Sequence, residues 1–469
     1  MIIHHVLIVV TSLLLVQQIV ACWPVLRQLR LQQTKQPKKP SRRSAISQAA
    51  TKRPACPGCQ AMQKQPTKVP PAKIEQKRGR PREVDTNSHY CPSKKCTYHG
   101  WLGRGNIRAN GHPDGGCWRQ LHCTVCDKYF LETHGTIFYG RRVPVDTILL
   151  VLKSLAEGVG IRKVARIFEV DANDVLAWLA QAGDHLEAVS LYLLHDLHVD
   201  HVQLDELYAL ISQVRDGQEE QDDKPTRRRE RRPHLWVWAA IDPATKLLLA
   251  VVVGDRSLTT AQMLVHLVSQ VLALGVVPLF VSDQLRHYAT ALLTHFGHWV
   301  VIPRRSKRGP HPKPRWMPLP ELLYAQVVKR RVKGRVVEVS CQVVYGSVAA
   351  VKAALARLGW KINTAFIERW NRTLRQHVAA LGRRAAGLAK TKKGLRLQTM
   401  ISWAYYNFCL PHTTLRALLP EPVPTKGNGS PKLWQPRTPA MAAGITDHVW
   451  KMEELLLFRV PPWRQEMAA

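Results

Sequence analysis

Acidic residues are scarce in this sequence. The 469 residues include 34 Asp and Glu against 68 Lys and Arg, which gives a formal net charge of +34 and a pI near 10.2. This shortage excludes a charge-balanced surface. It predicts a polyanionic partner, because each phosphate that a basic side chain neutralises releases counterions. Charge alone does not separate a nucleic-acid-binding protein from a ribosome-like basic protein or from one drawn to an anionic membrane.

Cysteine is also sparse, which excludes a dense disulfide framework of the secreted kind. Ten cysteines in a chain of this length instead favour metal ligation in a reducing compartment. Four of them form a C-x4-C pair and a C-x2-C pair around a loop rich in Gly and turn formers. This pattern is typical of a zinc ribbon, in which four thiolates hold a structural Zn²⁺ tetrahedrally. The predicted ligands, in a module of residues 89–135, are Cys91, Cys96, Cys123 and Cys126.

Other metal-ligating residues leave alternatives open. Cys117, His112 and His122 could substitute for one of the four thiolates. Cys56 and Cys59 form a further C-x2-C pair, which would be either half of a metal site or two free thiols.

The N-terminal segment lacks the Lys or Arg that normally precedes the apolar region of a secretory signal. Residues 1–33 contain the run VLIVVTSLLLVQQIVACW, and we predict a hydrophobic helix that is either a membrane anchor or packs on the protein itself. Residues 34–88 are predicted to form a basic, disordered arm. Within the arm, KRGRPR (77–82) resembles an AT-hook core, although nonspecific phosphate contact explains the same residues.

Residues 141–196 show helical periodicity with short connections. VPVDTILLVLKSLAEGVG, IRKVARIF and DANDVLAWLAQAGDHL predict three helices, the last capped by Asp171. This is the arrangement of a helix-turn-helix DNA-binding domain, and also of any three-helix scaffold. The candidate DNA contacts are Arg162, Lys163, Arg166 and Asn173.

Three distant carboxylates lie where a fold could bring them together. NTAFIERWNRTLR (363–375) predicts a helix with Glu368 beside an apolar stripe. Asp205 and Asp283 each end or interrupt an apolar, strand-like run. Two Mg²⁺ or Mn²⁺ ions need shared oxygen ligands of this kind to cleave a phosphodiester. Asp242 also follows an apolar strand, but the turn DPATK explains it better as a turn residue. We expect Glu206 to point to the strand face opposite Asp205.

Several segments, in order along the chain, resemble the catalytic core of DDE-type insertion-sequence transposases. They are LDELYAL, WVWAAIDPATKLLLAVVVGDRS, LFVSDQ, NTAFIERWNRTLRQ and YYNFCLPHTTLR. The resemblance implies an α/β, RNase H-like catalytic domain over residues 199–416, with an inserted segment at 304–362. The zinc-ribbon-like module and the helix-turn-helix domain would precede it, and a Pro-rich tail, 417–469, would follow. The resemblance also implies that Asp205, Asp283 and Glu368 form the metal-binding triad of the catalytic domain.

The resemblance also implies an activity and its partners. The protein would be a transposase that cuts double-stranded DNA at transposon ends and joins the 3′-hydroxyl to target DNA, as a homo-oligomer in the bacterial cytoplasm. The sequence lacks the His-apolar-His motif of transposases that use a covalent tyrosine. From the resemblance alone, Arg256 is a further candidate for positioning the transposon end. The residues expected to position the transposon end are Arg369, Asn371, Arg372 and Arg375. The alternative function is a non-enzymatic, sequence-specific DNA-binding regulator derived from a transposase.

Overall fold

The computed structural model describes residues 83–113, 118–211, 234–303, 312–332, 335–382, 388–425, 427 and 429–465. The hydrophobic segment 1–33, the AT-hook-like run 77–82, Cys56, Cys59 and Cys117 lie outside these ranges, as does most of the arm 34–88. No helix within the described ranges combines the length and the apolar character that crossing a membrane requires.

The strands form one large sheet and three small ones. Their bounds are β1 (Ile107–Ala109), β2 (Gln120–Cys123), β3 (Tyr129–Leu131), β4 (His201–Leu210), β5 (His234–Ile241), β6 (Leu248–Gly254), β7 (Leu279–Asp283), β8 (Gly297–Val300), β9 (Arg315–Pro318), β10 (Leu323–Val332), β11 (Arg335–Tyr345), β12 (Ala417–Val423) and β13 (Lys432–Gln435).

The large sheet has the order β11-β10-β7-β4-β5-β6. Strands β4, β5 and β6 form an antiparallel meander, and β7 returns to lie parallel to β4. Strand β10 pairs parallel with β7 and antiparallel with β11. This mixed sheet is compatible with the RNase H-like core expected from the sequence. The first and fourth strands of the core carry Asp205 and Asp283, respectively.

Within the segment 304–362, which the resemblance implies is inserted, the alternating residues 327–345 predict a β-hairpin, and β10 and β11 form this antiparallel pair. Residues 323–327 pair with β7, so the first half of β10 is a strand of the main sheet. Tyr324 and Ala325 are fully buried there. Local alternation predicts a hairpin, whereas the parallel pairing with β7 is a long-range contact that no local pattern encodes.

The helices cover the sheet and build the segment before it. They are α1 (Val145–Ala156), α2 (Ile161–Ile167), α3 (Ala172–Leu193), α4 (Leu258–Val271), α5 (Arg286–His295), α6 (Val348–Arg357), α7 (Ala365–His377), α8 (Lys392–Ala404), α9 (Pro439–Ala442) and α10 (Met452–Leu457).

Local sequence features explain where α3 begins and which face of α7 is buried. Asp171 caps α3 by accepting a hydrogen bond from the backbone N–H of Asn173 at 2.6 Å, as its sequence position predicts. The apolar stripe predicted for α7 is buried in the main core. Its residues are Ile367, Trp370, Leu374, Val378 and Leu381.

The C-terminal tail packs on the described part of the zinc-ribbon-like module, residues 89–135, here called the cysteine module. Gln465 accepts a hydrogen bond from the backbone N–H of Leu102 at 2.9 Å, and the Tyr90 hydroxyl donates to the Val460 carbonyl at 3.3 Å. The Trp463 ring lies edge-on to Trp101, with centroids 5.5 Å apart. The tail therefore ties residues 83–113 to the rest of this compact unit, residues 81–469.

Helix α1 is also fixed against the end of α7. Gly158, just after α1, has φ +84°, and a Cβ atom there would lie 2.0 Å from the carbonyl oxygen of Gln376. The His377 ring hydrogen-bonds through Nδ1 to the Ala156 carbonyl at 2.9 Å. The segment before the sheet and the helix that carries Glu368 thus share one tight contact.

We expect Gly158→Ala to reduce the free energy of unfolding by about 2–4 kcal/mol, since it adds a backbone clash to the cost of a left-handed conformation. Gly275→Ala is the matched control. Gly275 has φ +81° but open space around the missing Cβ, so it should lose only about 1 kcal/mol. Thermal or urea unfolding of both variants measures the difference, and equal losses would contradict the close contact.

Candidate active site

The C-terminal end of β7 forms a notch in the large sheet. Leu204 of β4 pairs with Ser282, and Val327 of β10 pairs with Asp283, the last residue of β7. Both neighbours continue beyond this point, β4 to Leu210 and β10 to Val332. In open α/β sheets ligands bind outside the carboxyl ends of parallel strands, and this edge is such a place.

Three carboxylates converge in the notch. Oxygens of Asp205, Glu206 and Asp283 all lie within 4.8 Å of one another. Glu206 does point to the strand face opposite Asp205, as expected. Its cross-strand neighbour Trp238 packs on Tyr288 of α5, with ring centroids 5.6 Å apart. Glu206 nevertheless reaches the cluster, at the point where β7 ends with Asp283.

Hydrogen bonds orient each member of the cluster, and Asp283 accepts one from the backbone N–H of Leu285 at 3.2 Å. Asp205 accepts from the Asn371 amide of α7 at 2.7 Å. Glu206 accepts from Arg256 Nη2 at 2.6 Å and Nε at 3.0 Å, and from the Tyr288 hydroxyl at 3.1 Å. Because its amide is buried against Asp205, Asn371 orients a carboxylate, whereas the sequence predicted a DNA contact.

The cluster is electrostatically strained. Burial, together with the charges of Asp283 and Glu206, raises the pKa of Asp205 to about 7. Burial and the charge of Asp283 raise the pKa of Glu206 to about 6, against the opposing effect of Arg256. Burial also raises the pKa of Asp283. A divalent cation would relieve this repulsion, and carboxylate oxygens are ligands that Mg²⁺ and Mn²⁺ prefer.

Glu368 lies beside this cluster but is not one of its members. Its carboxylate pairs with the Lys329 ammonium of β10 and accepts a hydrogen bond from the Thr364 hydroxyl at 2.9 Å. Burial acts to raise the pKa of Glu368, but Lys329 and Thr364 outweigh it and lower the pKa. The Glu368 charge still acts on Asp205 and Asp283. The structure therefore brings two members of the predicted triad together and holds the third on a lysine.

The side chain of Gln203 fixes α7 onto the sheet. From β4, its amide donates to the Asn363 carbonyl at 2.8 Å and accepts from the backbone N–H groups of Phe366 and Ile367 at 3.2 and 3.1 Å. These N–H groups belong to the first turn of the helix and have no intrahelical partner. Gln203 and Asp205 share one strand face, so this cap sets the position of Glu368 relative to Asp205.

Asp242, the rival for a triad position, is a turn residue, as predicted. Its carboxylate accepts hydrogen bonds from the backbone N–H groups of Ala244 at 2.9 Å and Thr245 at 3.2 Å. It takes no part in the acidic cluster.

The four predicted zinc ligands also come together. The Sγ atoms of Cys91 and Cys126 are 3.5 Å apart, and those of Cys96 and Cys123 are 3.8 Å apart. Thiolates about 2.3 Å from a tetrahedral Zn²⁺ would be about 3.8 Å from each other, so the residues fit the ion. Of the alternative ligands, His112 bonds to the Trp118 carbonyl and His122 to Asp127.

The thiols have unequal acidity. Burial acts to raise the pKa of Cys123, but the backbone N–H groups of Cys126 and Val125, with the Asn106 amide, lower it to about 6. Burial raises the pKa of Cys91 and of Cys96.

The predicted DNA contacts are placed at the surface, with Asn371 as the exception. On α2 and in the first turn of α3, the side chains of Arg162, Lys163, Arg166 and Asn173 are exposed. On α7, Arg369 and Arg372 are exposed and Arg375 is half-buried.

No sequence pattern places Glu206, Lys329 or Tyr288 in the site. The one local indication for Glu206 is that it directly follows Asp205 in LDELYAL. The alternation of side chains along a strand, however, predicts that the two carboxylates point to opposite faces. Nothing near Lys329 indicates that it reaches Glu368, 39 residues away. Arg256, named from the resemblance alone, does contact the cluster through Glu206.

Comparison with known proteins gives slight structural likenesses. No protein-family model matches the sequence, and no curated protein matches it significantly. The chain is similar to the Mos1 transposase paired-end complex with left transposon end, at 14% identity over 33% of this chain and 57% of that chain, with a TM-score of 0.13. For the Mos1 strand transfer complex the identity is 11%, over 32% and 53%, with a TM-score of 0.13. This chain thus spans little more than half the length of those chains.

The acidic cluster should make the metal-free protein less stable as the pH rises. The pKa of Asp205 is about 7 in the folded protein against 3.8 for the free side chain. Its contribution to stability is therefore present below about pH 4 and is lost as the pH rises through about 7. In EDTA, Asp205→Asn should flatten the fall in melting temperature between about pH 5 and pH 8.

Two comparisons complete this test. Asp174→Asn removes an exposed carboxylate of α3 and should leave the pH dependence of the wild type unchanged. At the alkaline end, Mn²⁺ should raise the melting temperature of the wild type more than that of Asp205→Asn. Identical profiles for the wild type and Asp205→Asn would refute the strained cluster.

Proposed function

We propose that this protein is a DDE-type DNA transposase, which binds transposon ends and catalyses metal-dependent DNA cleavage and strand transfer. The convergence of Asp205, Glu206 and Asp283 at the end of β7, with Glu368 adjacent on α7, carries this proposal. Asp205, Asp283 and Glu368 would hold the divalent cations. When bound, Mg²⁺ or Mn²⁺ lowers the pKa of water and stabilises charge on phosphoryl oxygens.

The chain's own residues prepare the site for that chemistry. Asn371 orients Asp205, and Arg256 with Tyr288 holds Glu206 on the far side of β4. Lys329 keeps Glu368 ionised and near the notch. A phosphate that enters the notch would offer Lys329 a second anionic partner, and Glu368 would then be free to act as a ligand.

Basic residues around α7 suit the DNA backbone. Arg369 and Arg372 are exposed on the helix that carries Glu368, and Arg375 lies one turn further. We propose that these three side chains contact phosphates near the scissile bond, where they fix position but not sequence. Sequence recognition is assigned to α2 and α3, which would form the helix-turn-helix domain, and to the cysteine module with a structural Zn²⁺. A homo-oligomer would hold two transposon ends.

Glu368→Gln should reduce cleavage of transposon-end DNA in Mn²⁺ by at least about a hundredfold while leaving DNA binding intact, because it removes a ligand charge without changing shape. A transposase gene should lie between terminal inverted repeats, and the substrate is a labelled duplex made from the repeat found beside this gene. Cleavage and joining are measured on gels with and without EDTA, and binding by gel shift.

Glu338→Gln is the matched control. Glu338 lies on β11 with an exposed partner, Arg330, 3.6 Å away, and its loss should leave cleavage unchanged. Retained cleavage in Glu368→Gln would remove Glu368 from the proposed ligands. End binding by the wild type with no metal-dependent cleavage would favour the regulator, the alternative function predicted from the sequence.

A further inference from the structure

A pocket opens on the side of α7 away from the acidic cluster. Its volume is about 60 Å³. The walls include Phe366 and Trp370 of α7 and Tyr406, which belongs to the π-helical turn after α8 (Tyr405–Cys409). Phe366 precedes Glu368 by two residues, which places it about 200° round the helix from that carboxylate. The pocket is therefore distinct from the notch.

Three cationic or potentially cationic side chains meet at this pocket. They are Lys246, Arg369 and His412. Within the described ranges no carboxylate forms an ion pair with any of them, and the nearby Asp242 is engaged by the turn that follows it. Burial and the Arg369 charge lower the pKa of Lys246, against the effect of Asp242. Burial, with the charges of Arg369 and Lys246, lowers the pKa of His412. The Lys246 ammonium donates a hydrogen bond to the Pro243 carbonyl, but a carbonyl does not balance its charge. Cationic side chains held together without a carboxylate ion pair indicate a place for an anion.

The backbone at Lys246 supports a role for its side chain. Lys246 has φ +62°, a left-handed conformation that costs a non-glycine residue roughly 1–2 kcal/mol. Glycine would make the same turn without this cost. The Lys246 ammonium lies 3.8 Å from the centroid of the Phe366 ring and 5.3 Å from that of Trp360. These two rings are themselves stacked, with centroids 4.8 Å apart.

His412 is prepared to donate a hydrogen bond. Its Nδ1 accepts from the backbone N–H of Thr414 at 3.4 Å and lies 2.9 Å from the Thr414 hydroxyl. In the neutral ring this arrangement places the proton on Nε2. The pocket thus combines aromatic walls with a rim of N–H donors, the pairing that a nucleotide requires.

We propose that this pocket binds one unpaired nucleotide of the DNA substrate. Its base would stack on Phe366 in the place of the Lys246 ammonium, and its phosphate would be bound by Lys246, Arg369 and His412. The proposal rests on the proposed function for the identity of the polyanion. The two sites lie on opposite sides of one helix, about 10–12 Å across. Arg372 and Arg369 lie between them on the surface of α7, so a strand held at the acids could deliver a nearby extruded nucleotide to the pocket.

The experiment distinguishes the contribution of the base to binding from the contribution of the phosphates. The full-length protein, in EDTA so that no cleavage occurs, is titrated with fluorescein-labelled octathymidylate and with an abasic octamer of equal length and charge. Stacking one base on an aromatic side chain is worth about 1–3 kcal/mol. We expect the wild type to bind octathymidylate about tenfold more tightly than the abasic octamer.

Two variants test the two halves of the pocket. Phe366→Leu should bring the ratio of the two affinities close to one. Lys246→Gly should weaken binding of both octamers severalfold, and because it relieves the left-handed strain it should not lower the melting temperature. Arg357→Gln, which removes one exposed charge from α6, is the control and should bind both octamers as the wild type does.

The outcomes distinguish this proposal from the proposed function. Wild-type affinities in both Phe366→Leu and Lys246→Gly would overturn the pocket, whatever the protein does to transposon ends. A loss of binding in Phe366→Leu that is equal for both octamers would overturn the stacking of a base. Base-dependent binding with no cleavage of transposon ends would support the pocket and count against the transposase.

Discussion

Repulsion between the carboxylates at the end of β7 is the constraint on which the site depends. Asp205, Glu206 and Asp283 come within 4.8 Å of one another in a partly buried place, where like charges interact strongly. The surrounding groups reduce the energetic cost of this repulsion from both faces of the sheet. Arg256 forms an ion pair with Glu206 on one face, where the Tyr288 hydroxyl also donates to Glu206, and the Asn371 amide holds Asp205 on the other face. In the described part of the chain, negative charge remains between Asp205, Glu206 and Asp283. Bound cations would balance that charge.

The fold has to keep α7 in register with this cluster. The helix begins on the Gln203 amide of β4 and ends against α1, where Gly158 allows the Gln376 carbonyl to approach. The apolar stripe between these ends lies in the main core. A helix fixed at both ends can present Glu368 on one side and the Phe366 pocket on the other. The same rigidity would let one DNA strand contact both sites.

The sequence predicted the elements of the site better than their contacts. Periodicity located α7 and its buried stripe, and apolar runs located the strands that carry Asp205 and Asp283. Cysteine spacing located four thiols that do converge. Long-range contacts could not be predicted in this way. The Glu368–Lys329 pair, the parallel pairing of β10 with β7 and the packing of Trp463 on Trp101 all join residues distant in sequence. Strand alternation predicts the face on which Glu206 lies, but it does not show where the neighbouring strand β7 ends and therefore does not predict that Glu206 joins the cluster.

The positions of bound Mn²⁺ ions would show whether Asp205, Asp283 and Glu368 act together as metal ligands. Crystals of the protein grown with Mn²⁺ would show the ions by anomalous scattering. We expect two ions in the notch, held by Asp205, Asp283 and Glu368, with Glu368 released from Lys329. Ions bound by Asp205, Glu206 and Asp283 alone, with Glu368 still paired to Lys329, would contradict the triad. A notch that stays free of Mn²⁺ would contradict the two-metal mechanism itself.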